Sequence, residues 1–116
     1  MTVAEFYEKI GGNYQEALSR LMSDDFAKKI LSGFPKDESY AKLCEAVEAG
    51  DVEAAFMQAH TLKGLCANLA LGNLTEIASE VTELFRDGDM AAGAAKMPEL
   101  ESCYNDTLSS LTELIG

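Results

Sequence analysis

The sequence is poor in several things at once: its 116 residues include no tryptophan, two prolines, three cysteines, a single histidine, and nine basic side chains against twenty acidic ones. The shortage of cations leaves a formal net charge of -11. A surface of that sign repels the phosphate backbone of nucleic acid and anionic lipid heads, so neither is expected as a partner. Cys44, Cys66 and Cys103 are odd in number and widely spaced, with no C-x-x-C pair. That pattern fits neither a disulfide framework nor a zinc site, and the three read as small apolar side chains in a reducing compartment. A run of about 18 apolar residues is missing, and the opening MTVAEFYEKI carries two glutamates where a signal peptide has a basic start and an apolar stretch. A cytoplasmic protein is expected, and Met1 just before the first helix favours a free-standing one. One histidine and no motif pairing a nucleophile with a base leave little for a metal-dependent or hydrolytic enzyme.

Segments alternating apolar and polar residues are also missing, whereas three- and four-residue apolar spacing recurs throughout, and the expected fold class is all-α. Val3, Phe6, Tyr7 and Ile10 mark a short helix closed by Gly11-Gly12, and Tyr14, Ala17, Leu18 and Leu21 mark a second. Ser23 before Asp24 and Asp25 reads as the N-cap of a third, with Phe26, Ile30 and Phe34 facing inward until Pro35 stops it. Four longer helices are expected to begin near Lys36, Asp51, Asn73 and Met97. Gly50 sits where the first should end in a left-handed residue, and Asp51 can cap the second. Gly72 and Asn73 form the turn before the third, which carries Leu74, Ile77, Ala78, Val81, Leu84 and Phe85 up to the RDGD stop. The fourth shows Met97, Leu100, Tyr104, Leu108, Leu111 and Ile115, with Pro98 admitted only in its first turn. MAAGAAK, ahead of it, reads equally as a separate short helix or an extension. Short turns imply antiparallel neighbours. Residues 36–116 are therefore expected to form an up-down antiparallel four-helix bundle, with residues 1–35 as short helices covering one end, all in one domain.

The histidine lies in the stretch AHTLKGLCANL, Ala59 to Leu69. On that helix Val52, Ala55, Ala59, Leu62, Cys66 and Leu69 form a stripe suited to packing inside a bundle. At about 100° per residue His60 falls roughly 130° from its centre, facing water. Phe56 and Met57 lie one turn before it, Lys63 and Gly64 one turn after, and Ala67 two turns after. Such an apolar border on a solvent face is the kind of patch that docks a partner. Gly64 costs a helix roughly 1 kcal/mol relative to alanine, and its use is steric, opening room for another protein to reach the ring. Lys63 places an ammonium where an anion attached to the imidazole would sit. The anion suggested is a phosphoryl group, because imidazole is available as a neutral nucleophile near neutrality and N-phosphorylation gives a labile carrier.

Ala59, His60, Leu62, Lys63, Gly64, Ala67 and Leu69 resemble the signature of the histidine-containing phosphotransfer (HPt) domain of bacterial two-component phosphorelays, approximately A-H-x-L-K-G followed by small residues and a leucine. The resemblance continues through Leu74, Ala78 and Val81. It implies a four-helix bundle in which His60 accepts a phosphoryl group from a receiver-domain aspartyl phosphate and passes it to another receiver aspartate. Lys63 would stabilise the phosphoryl charge, and Gly64, with Phe56, Met57 and Ala67, would form the receiver docking surface. It implies response-regulator receiver domains and an upstream hybrid histidine kinase as partners, a monomer, no cofactor on this chain, and Mg²⁺ on the receiver. No ATP-dependent kinase activity of its own is implied, in keeping with the lack of a glycine-rich phosphate loop. Ala70 stands where the family often has glycine, Leu65 where a small polar residue is common, and Thr82 where some members carry Gln or Glu that could orient the imidazole. Two other readings use the same features. A non-phosphorylated helical interaction module would keep the docking patch without covalent chemistry, and the histidine-bearing dimerisation module of a sensor kinase would require a dimer.

Overall fold

The computed structural model describes all 116 residues and is all-α, with seven α-helices, one 3-10 turn and no strand. Val3–Lys9 form α1, Tyr14–Leu21 α2 and Asp24–Leu31 α3. A 3-10 turn at Phe34–Lys36 leads into α4 (Ser39–Ala49), α5 (Val52–Asn68), α6 (Gly72–Arg86) and α7 (Met90–Ile115). The short polar residues between apolar runs start the helices. Thr2 and Glu5 form a reciprocal capping box on α1, and the side chains of Asn13, Ser23, Asp51 and Asp89 each accept the amide three residues on. Each such cap contributes about 1 kcal/mol. Gly50, at φ 70°, lets α4 turn into the Asp51 cap of α5 with no intervening linker.

Helix α5 packs between α4 and α6, and α6 packs on α7. The ring of Tyr40 stacks on that of Tyr104 at 4.0 Å, joining α4 to α7. Ala55, Ala59, Leu62 and Cys66 from α5 are buried in one core with Leu74, Ala78, Val81 and Phe85 from α6 and Leu100, Tyr104 and Leu111 from α7. The first helices seat on the turn between α5 and α6: the Tyr7 hydroxyl donates to the Leu69 carbonyl at 2.8 Å, and the Asn73 amide donates to the Ile10 carbonyl at 3.1 Å. Lys9 meets Glu113 near the end of α7 at 3.0 Å.

Five sequence expectations need correction. In α3 the buried residues are Ala27 and Leu31, while Phe26 and Ile30 are 42% and 37% exposed. The two apolar stripes lie one position apart, and the one carrying small Ala27 allows the close approach to α1, α2 and α7 that this short helix makes. The helix also ends at Leu31, so Phe34 is buried from the 3-10 turn instead. The turn before α6 consists of Leu69, Ala70 and Leu71, all buried, and Gly72 and Asn73 already belong to the helix. Finally, α7 starts at Met90, making MAAGAAK an extension and leaving Pro98 inside a continuous 26-residue helix. Pro98 sits inside this helix despite the local cost of an interior proline, with Asp89 capping the helix start and Gly93 packed against Phe85. The buried stripe near its end runs through Thr107, Leu111 and Leu114, leaving Ile115 46% exposed.

Candidate functional site

Helix α5 positions the site by burying one side completely. Ala55, Ala59, Leu62 and Cys66 face the core, and Leu69 continues their line beyond the last turn. His60 is therefore carried outward, and its side chain is exposed. Met57, 63% exposed, and exposed Gly64 flank it, with Phe56, Lys63 and Ala67 half-buried around them. All six sequence-predicted site residues thus share one face. Beneath them, burial pushes the Cys66 thiol up to about 12, which keeps it protonated and unreactive. The backbone carbonyl of Ala67 accepts a hydrogen bond from the Arg20 guanidinium of α2, tying the N-terminal helices to the far end of this face.

The surroundings of Gly64 are empty: a β-carbon built there meets nothing within 4 Å. Gly93 is the opposite case, since a β-carbon there would drive into the ring of Phe85. Glycine at 93 serves the packing of α6 on α7, whereas glycine at 64 serves no contact within the protein. Lys63 is similarly uncommitted. Of the four cations between residues 37 and 110, Lys42 holds Glu38, Arg86 holds Glu83 and Lys96 holds Glu80 and Glu99, all within 4.0 Å. Lys63 alone among them has no carboxylate partner, so its ammonium is available to an incoming anion.

No side chain hydrogen-bonds the imidazole. Thr82, buried on α6, turns its hydroxyl back to the Ala78 carbonyl at 2.6 Å, and Thr61 bonds the Met57 carbonyl at 2.9 Å. The ring instead lies against Phe56, with centroids 5.8 Å apart and planes 23° from parallel. Arg86 places its guanidinium carbon 5.0 Å from the centroid of Phe56. Sequence reasoning did not single out Arg86. The pairing of Phe56 with His60 was readable from their i, i+4 spacing, but the register of α6 against α5 was not. No group of three or more His, Cys, Asp or Glu side chains is arranged to hold a metal ion.

The family model of the Hpt domain matches residues 37–110, nearly two thirds of the chain and all of α4, α5 and α6. The chain belongs to the Hpt family. Hpt domains act in histidine phosphotransfer within phosphorelays and interact with receiver domains and histidine kinases. No curated protein and no solved structure matches the chain. The matched segment of this Hpt domain contains the whole His60 face, while α1, α2 and α3 lie outside it. Ala70, where the family often has glycine, adopts φ 55°, a left-handed conformation that costs an alanine about 1–2 kcal/mol. No helix is long and apolar enough to cross a membrane.

Proposed function

We propose that this chain is a phosphocarrier in which His60 takes a phosphoryl group from a receiver aspartyl phosphate and hands it to a second receiver aspartate. The lone pair of a neutral ring nitrogen forms the N–P bond as the acyl-phosphate P–O bond breaks, and its electrons leave on the aspartate carboxylate. The reverse displacement delivers the group to the next aspartate, so no oxidant or nucleotide enters the step. Lys63 faces the charge carried by the phosphorylated ring. The open space at Gly64, with Met57, Ala67 and the exposed edge of Phe56, receives the receiver surface. Mg²⁺ and the groups that polarise the phosphoryl belong to that receiver, and this chain needs no cofactor or ATP. The reading rests on one observation: an exposed imidazole stands beside an unpaired ammonium and an unfilled glycine site on a helix within the Hpt-matched segment.

The same reading places α4 to α7 in up-down antiparallel order as a monomeric bundle, supported by the short turns between them and by packing between sequence neighbours. It places the protein in the cytoplasm, supported by three free cysteines, which suit a reducing compartment. Incubation with a phosphorylated receiver domain should transfer an acid-labile, alkali-stable label to the protein, and His60→Gln should take none while keeping its helical circular dichroism. A protein unlabelled by every receiver of its own organism, or a His60→Gln variant that still takes label, would overturn the proposal.

A further inference from the structure

We propose that Phe56 is a positioning residue for phosphotransfer: its ring selects the orientation of the His60 imidazole, and Arg86 clamps that ring from the neighbouring helix. This rests on the phosphocarrier reading above. A surface histidine on a helix has two accessible χ1 wells and a roughly two-fold χ2, about four orientations in all. Only a fraction of them aim a given ring nitrogen at an incoming phosphorus atom, and effective transfer requires near in-line approach.

A hydrogen bond to the second nitrogen would ordinarily restrict the ring, and the protein offers none. Thr82, buried on α6, is committed to its own helix. What does contact the imidazole is Phe56, one turn earlier on the same face. Their separation of 5.8 Å and tilt of 23° describe an offset stack within the favourable range for aromatic pairs. Phe56 is in turn held. Arg86 lies 5.0 Å from its centroid, within cation–π reach, and the Arg86 Nε is fixed at 3.3 Å from Glu83 Oε2. Phe56, Met57, Phe85 and Arg86 line one shallow groove between α5 and α6, and Phe56 is the member of it that stacks on His60. Phe56 therefore has a second task besides offering apolar surface to a partner, and the two tasks separate experimentally.

The test compares Phe56→Leu, which keeps apolar bulk but not the aromatic plane, with Phe56→Tyr, which keeps both. Two measurements are made: the ring-current displacement of the His60 carbon-bound proton resonances in the isolated protein, and phosphotransfer from a phosphorylated receiver as a function of receiver concentration. Phe56→Leu should lose the displacement and slow the maximal transfer rate about fourfold, the number of orientations released, beyond any change in half-saturation that the lost docking contact brings. Phe56→Tyr should restore both, and Arg86→Gln should reduce both in part. If Phe56→Leu fails to fold, Arg86→Gln carries the same test, since its side chain is exposed. A labelled wild-type protein with an undisplaced imidazole overturns the positioning role alone. So does a leucine variant whose only loss is in half-saturation. A wild-type protein that takes no label overturns the phosphocarrier reading and the positioning role together.

Discussion

Replacing Gly64 with alanine separates what this residue costs the fold from what it offers a partner. Within the protein the added methyl has nothing to strike, and α5 continues for four residues beyond it to Asn68. The intrinsic preference of a helix for alanine then acts alone and should stabilise the protein by about 1 kcal/mol. With an unfolding entropy of about 2.1 cal/mol/K per residue over 116 residues, the melting temperature should rise by about 4 °C. Scanning calorimetry at neutral pH reads that change directly. Phosphotransfer should move the other way, falling slightly for Gly64→Ala and steeply for Gly64→Gln, whose longer side chain fills the approach to the imidazole. A Gly64→Ala protein that melts below the wild type would show that the glycine has a structural purpose. A Gly64→Gln protein that accepts the phosphoryl group at the wild-type rate would remove the steric argument altogether.

Gly93→Ala should behave in the opposite sense, destabilising the fold by about 1–3 kcal/mol as the methyl meets the Phe85 ring, which denaturant titration will show. Tyr7→Phe should cost about 1–3 kcal/mol by leaving the Leu69 carbonyl without its donor, measured in the same way. It should also change the alkaline limit. Burial pushes the Tyr7 phenol from its ordinary 10.0 up to about 12, so between those values the unfolded chain releases a proton that the folded protein retains. The stability from this group is thus complete below pH 10 and is lost as the pH rises towards 12. Tyr7→Phe should flatten this part of the pH–stability curve without abolishing the loss, because burial raises Tyr40, Cys66 and Tyr104 in the same direction.

The fold class and the outward direction of His60 were legible because α5 has one apolar stripe and clear end signals. Its core positions, Ala55, Ala59, Leu62 and Cys66, follow from spacing alone. α3 was misread because its sequence presents two competing stripes. Which of them is buried depends on how closely the neighbouring helices approach, a property no local pattern carries. Pro98 misled for a related reason: the local penalty for proline is real, but the packing of α7 on α6 and α1 is tertiary and no local pattern carries it. At the candidate site, the positions on α5 that share the His60 face follow from counting turns. The place of Arg86 over Phe56 does not, since it depends on the packing register between α5 and α6, which the pattern within either helix does not carry.

The unbroken course of α7 has a mechanical consequence. At 1.5 Å per residue its 26 residues measure roughly 39 Å, matching the 40 Å longest dimension of the molecule. One rod therefore spans the length of the protein, gripping the terminal helices through Glu113 and Lys9 and supporting α6 at Gly93 and Lys96. Neither end can loosen without disturbing this shared spine. The segment outside the family match and the segment bearing the histidine should consequently melt in a single transition.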